Sequence, residues 1–173
     1  MRPIQFTVYQ FHELNDEHQQ KAIQNLKHDV YVQSCEQDQW DIQETFSKIQ
    51  EITGVYADIR SSSQGPYVWS AHKIEENYDL SEKYLFEQMQ QRMQQIDCNT
   101  GWAFANWAKD IFTEADFDER RSYAMNVAWL LCSLFKRIDN AQLMYLEDDY
   151  VREYIIDNGF EFHADGTQYI LKY

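Results

Sequence analysis

Leu146–Gly166 reads LEDDYVREYIIDNGFEFHADG, and its apolar period changes partway along. Up to Asp157, Leu146, Tyr150, Val151 and Tyr154 recur at spacings of three and four, which is the signature of an amphipathic helix. Beyond Gly159, Phe160 and Phe162 alternate with Glu161 and His163, the pattern of a strand. Asp165-Gly166 then suits the tight turn of a hairpin whose second arm is TQYILKY. A helix feeding a terminal hairpin places both kinds of secondary structure in one short segment.

Working back along the chain, Ala141–Asp157 reads as one amphipathic helix with Leu143 also turned inward. It either continues from or breaks after a helix over Arg121–Ile138. That earlier stretch contains MNVAWLLCSLF and is apolar almost all round, so it is expected at the centre of the core. Trp102–Phe112 is read as a short helix, followed by the acidic connection FTEADFDERR. Leu80–Ile96 is a helix whose apolar line is Leu85, Met89, Met93 and Ile96. Val55–Ser61 and Tyr67–His72 are strands around the turn SSSQGP. Toward the start, Ile4–Phe11 alternates as a strand. A first helix follows from Leu14 to Tyr31, with Asn15 as its N-cap, Asp16 and Glu17 in its first turn, and Ile23, Leu26 and Val30 on one face. A second helix over Asp38–Thr53 aligns Ile42, Phe46, Ile49 and Ile52, and Gly54 stops it. The fold class is α+β: one domain over 1–173, in which a small antiparallel sheet (N-terminal strand, central hairpin, C-terminal hairpin) is packed by about five helices.

A chain of 173 residues is long enough for a real core, and 44% hydrophobic with 16% aromatic content argues against disorder. The formal net charge of −14 works against direct binding of nucleic acid, which depends on neutralising phosphates with Lys and Arg. It disfavours anionic membrane surfaces for the same reason. The charge instead suits a basic protein partner or cations, and it also aids solubility. Cys35, Cys98 and Cys132 are odd in number and widely spaced, so neither a disulfide framework nor a zinc ribbon is supported. Cys132 reads as a small buried hydrophobe. With no apolar signal segment at MRPIQFTVYQF, the expected setting is a reducing cytoplasm.

Catalytic signatures are missing from the sequence. There is no GxSxG elbow, no P-loop and no GxGxxG, and the five histidines are scattered. Glu161, His163 and Asp165 alternate on the presumed strand and form the best metal candidate. A polar hairpin face opposite Phe160 and Phe162 is the simpler explanation and is preferred, so no metal or cofactor is expected.

The acids of the closing helix are more informative. Asp149, Glu153 and Asp157 recur every fourth residue, about 6 Å apart along one outer face. Like charges at that spacing oppose the helix by a few tenths of a kcal/mol per pair, and Asp157 lies at the unfavourable end of the dipole. Asp148 has Arg152 at the next turn as its expected partner. An evenly spaced row of anions resembles one strand of a phosphate backbone, and it would fit a basic channel built for nucleic acid. An ordinary solvated face is the competing reading. Glu147, Asp148, Asp149, Glu153 and Asp157 are therefore candidate partner-binding residues, joined by Asp116, Asp118 and Glu119 of the acidic connection. Trp69, Tyr145 and Phe117 are candidate aromatic anchors.

Three blocks in order resemble a family of small acidic proteins encoded by phages and prophages: YQFHELNDEHQQKAIQNL, ADIRSSSQGPYVWS and YLEDDYVREYIIDNGFEFHADG. They span most of the chain, with the part from about Asn77 to Asn140 poorly matched. Pro66 and Tyr67 stand where that family has a second glycine-containing step after its Ser-Gln-Gly turn. The family has no settled activity, so no catalytic residue is carried over. The resemblance implies a mobile-element protein in a bacterial cytoplasm. Small acidic phage proteins often block host defence complexes, including CRISPR effectors and restriction enzymes, by occupying basic surfaces. The expected function is thus a non-enzymatic inhibitor or adaptor of a basic host protein that handles nucleic acid. Two rivals stand beside it: a small enzyme whose site assembles in space, and an antitoxin-like or structural phage protein.

Overall fold

The computed structural model describes residues 7–60, 64–74, 80–96 and 103–170. Among them are five α-helices and two separate two-stranded antiparallel sheets, so the chain is α+β. The strands expected in one sheet divide between the two. Contacts group the chain into two units, Met1–Glu36 with Ala141–Tyr173, and Gln37–Asn140.

In the first unit, β1 (Tyr9–Gln10) pairs with β4 (Glu161–Phe162) in the register Tyr9↔Phe162 and Gln10↔Glu161. Ile4–Phe6 of the expected first strand lie outside the described residues. Phe11, its expected end, instead opens a 3-10 turn over Phe11–Glu13. Helix α1 (Asp16–Thr53) follows, capped by Asn15, whose Oδ1 accepts from the His18 backbone N–H at 2.9 Å. Its residues up to Glu36 belong to this unit. Ile23, Leu26 and Val30 are buried as their spacing predicts, against Phe11, Leu14, Val151, Ile155 and Phe162. Phe11 and Phe162 meet edge to face with ring centres 6.1 Å apart.

One helix thus replaces the two expected from Leu14 to Thr53. The junction contains no glycine or proline to end it. Its buried face simply turns polar at Ser34, whose hydroxyl lies 3.1 Å from that of Tyr150.

The segment expected as one helix from Ala141 to Asp157 is broken. A 3-10 turn spans Leu143–Leu146, Glu147 is extended, and α5 runs over Asp148–Asp157. Leu143, expected inward, is exposed, whereas Val151 and Ile155 are buried. The closing hairpin is also reduced. Strand β4 ends at Phe162, and its second arm reaches it through a single bridge between Phe162 and Gln168. The turn at Asp165-Gly166 packs against α1. Gly166 has φ +80°, and a Cβ there would fall onto the His18 carbonyl.

In the second unit, Gly54 ends α1 at φ +64° and leads into β2 (Val55–Arg60), which pairs with β3 (Tyr67–Lys73). Helix α2 (Glu82–Gln94) is capped by Ser81, whose Oγ accepts from the Tyr84 N–H at 3.2 Å. Its buried side is Phe86, Met89 and Met93, with Leu85 only half covered and Ile96 beyond the helix end. Helix α3 (Ala105–Thr113) is closed at its C-terminus by Gln90 Nε2, which reaches the carbonyls of Phe112, Thr113 and Ala115 at 3.3, 3.2 and 2.8 Å. Helix α4 (Tyr123–Gln142) supplies Tyr123, Val127, Leu131, Leu134 and Ile138 to a core completed by Ile49, Val55 and Phe112. It is not covered all round, because Trp129, Ser133 and Lys136 are exposed. No described helix is long and apolar enough to cross a membrane.

Candidate partner-binding surface

The first turn of α5 separates two neighbouring aspartates into different roles. Asp148 accepts from Lys27 Nζ at 2.7 Å and from Gln20 Nε2 at 2.8 Å, with Gln24 Nε2 at 3.4 Å. These donors are spaced along one side of α1, so Asp148 ties the start of α5 to that helix. Its partner is Lys27 rather than Arg152, which corrects the local expectation. The hydrogen bonds from Lys27 and then Gln20 hold its carboxyl below the usual range. Asp148 is half-buried and already occupied, so it is not part of a free acidic surface.

Asp149, Glu153 and Asp157 are all exposed, as is the N-cap residue Glu147. They lie on the side of α5 away from the buried Val151 and Ile155. Arg152 and Ile156 are exposed beside them, and Ile156 keeps 53% of its surface open. The row of three therefore has the spacing and accessibility needed to meet a partner.

The second acidic group, in the other unit, divides in the same way. Asp118 accepts from the Arg120 backbone N–H and Nε, each at 3.0 Å, and forms an ion pair with Arg121, whose Nε lies 3.4 Å away. Asn126, buried at the start of α4, completes the clasp. Its Oδ1 accepts from the Asp118 N–H, and its Nδ2 donates to the carbonyls of Asp118, Arg121 and Ser122. The Arg120 hydrogen bonds lower the Asp118 carboxyl below its usual range. Asp118 thus shapes the entry to α4, while Asp116 and Glu119 remain exposed beside it.

The alternation Glu161, His163, Asp165 does not form one strand face, because β4 ends at Phe162. Asp165 instead accepts from the Thr167 hydroxyl at 2.6 Å, the Thr167 N–H at 3.0 Å and Lys21 Nζ at 3.2 Å. Those contacts, the Thr167 hydroxyl first, hold its carboxyl far below the usual range. His163 packs edge to face on Tyr169 at 5.4 Å. No cluster of three metal-ligating side chains occurs among the described residues.

Of the aromatic candidates, Trp69 is 60% exposed, whereas Tyr145 and Phe117 are partly covered. Trp69 belongs to a wider surface that the alternation of residues conceals. Asp58 pairs with Ser70 but Ile59 pairs with Val68, so Trp69 is the extra residue of a bulge. The bulge resets the period of β3. Ala71 faces the core with Ala57 and Ile59, while Tyr56, Arg60, Tyr67, Trp69 and His72 stay exposed. Arg60 lies 4.1 Å over the Trp69 ring, and Tyr56 packs on His72 at 5.1 Å.

No protein-family model, curated protein or solved structure matches this chain.

Proposed function

We propose that this protein is a non-enzymatic inhibitor or adaptor that docks on a basic, nucleic-acid-handling host protein through the outer face of α5. The observation carrying this reading is the exposure of Asp149, Glu153 and Asp157 as a regular row on a helix whose opposite side is anchored. Asp148 supports it, because its ties to Gln20, Gln24 and Lys27 fix the start of the helix that presents the row. A rigid row loses little conformational freedom on binding. The overall charge of −14 would steer encounter with a cationic surface. The resemblance to small acidic phage proteins suggests CRISPR effectors and restriction complexes as the class of partner, in a bacterial cytoplasm.

The test is kinetic. Association with the captured partner should slow at least about tenfold when Asp149, Glu153 and Asp157 are all changed to Lys, and the gap should narrow as salt rises. An association rate that ignores both the substitutions and the salt would remove the proposal.

A further inference from the structure

The second unit contains a cleft of about 550 Å³ beside α2, within the range of small-molecule sites. Its floor is apolar: Met89 is buried, and Leu85 lies next to it. The floor is closed by Tyr123, whose hydroxyl is spent on the Thr53 carbonyl at 2.8 Å. Around the mouth stand Ile74, Leu80 and Tyr84, which are 54%, 41% and 45% exposed. Single exposed hydrophobes are ordinary, but three at the rim of one concavity leave a patch of apolar surface open to water within an otherwise polar lining that includes Gln50, Thr53 and Gln88.

Two cations, Lys73 and Arg92, and one exposed carboxylate, Glu51, line this cleft, and the two cations differ in availability. Lys73 is paired with Glu82 at 3.1 Å, and the same carboxylate accepts from the Tyr123 N–H at the start of α4. Arg92 uses Nη1 to hold the Ile52 carbonyl at 3.3 Å, which fixes its position at the end of α1. Among the described residues no carboxylate forms an ion pair with it. A guanidinium has five N–H donors, so most of its capacity is left for a ligand. Its charge also reaches the Tyr123 phenol, where it partly opposes the upward push of burial on ionisation.

We propose that this cleft binds a small amphipathic anion, with an apolar or aromatic body over Leu85 and Met89 and a single carboxylate or sulfonate on Arg92. Tyr84 and Leu80 flank the body. The site lies wholly within the second unit and does not depend on the acidic face of α5.

The experiment titrates the full chain at neutral pH with anilinonaphthalene sulfonate, an aromatic body with one anionic group, and follows its fluorescence. One saturable site is expected, with a dissociation constant on the order of tens of micromolar. Arg92→Glu and Arg92→Gln should each weaken it at least about tenfold, while Arg137→Glu, outside the cleft, should not. Two charge variants, both checked by circular dichroism, guard against one failing to fold. Decanoate should displace the probe and decan-1-ol should compete far less. No saturable binding would overturn the proposal, as would equal affinity in the folded Arg92 variants or equal competition by acid and alcohol.

Discussion

Gly166 is the residue at which the closing turn meets α1. Its positive φ favours glycine, and the added Cβ of any other residue would run into the His18 backbone, which cannot swing aside. Gly166→Ala should therefore cost more than about 1 kcal/mol in urea denaturation, the lower end for a strained backbone position. A cost under half of that would mean that the turn does not seat where it is placed. Asp148 and Asp165 make a second prediction, through pH. Both carboxyls are held below their usual range in the folded protein, so they stabilise it above the unfolded value near 3.9 and lose that effect as pH falls through the folded value. Asp148→Asn and Asp165→Asn should each lower the urea midpoint by a constant amount from pH 7 to 5. Below about pH 4 the gap should begin to narrow, and it should close only as the pH reaches the lowered folded values. A gap that persists unchanged at pH 3 would contradict the assignment.

At the scale of elements, α5 presents a conflict between stability and charge. Asp149 lies in the first turn, where the dipole favours an acid, but Asp157 is the last residue, where it does not. Asp157→Asn should stabilise the chain by about 0.3–1 kcal/mol and at the same time weaken partner binding. A variant that is no more stable than wild type would show that the dipole does not act on Asp157. Much of the element structure was legible in local pattern. Buried Ile23, Leu26 and Val30, and later buried Ile49 with the partly buried Ile42 and Phe46, mark core-facing stripes because helical spacing follows directly from the order of residues. The hairpin was legible from its turn residues. What escaped depends on contacts distant in sequence, or on breaks in the period. Ser34 interrupts an apolar stripe without ending the helix, since its hydroxyl is satisfied by Tyr150. Trp69 sits in a bulge that shifts the alternation of β3, so its neighbours Ser70 and Ala71 exchange faces relative to a regular strand. The acidic row was readable from spacing alone, whereas the internal engagement of its neighbour Asp148 required Lys27, more than a hundred positions away along the chain.

For the whole molecule, the net charge of −14 matters less than which acids are already occupied. Asp148, Asp165 and Asp118 are held by internal donors, and each secures a turn or helix start. Asp149, Glu153 and Asp157 contribute no comparable contact among the described residues, and together they set the central claim. The most direct measurement is a comparative pull-down. Tagged wild-type chain and the Asp149→Lys, Glu153→Lys, Asp157→Lys variant are exposed to the same bacterial lysate, and captured proteins are quantified by mass spectrometry. The account predicts that a basic nucleic-acid-handling protein is enriched by the wild type and falls at least about tenfold with the variant, provided that circular dichroism shows both folded. The same captured proteins in the same amounts from both chains would contradict it.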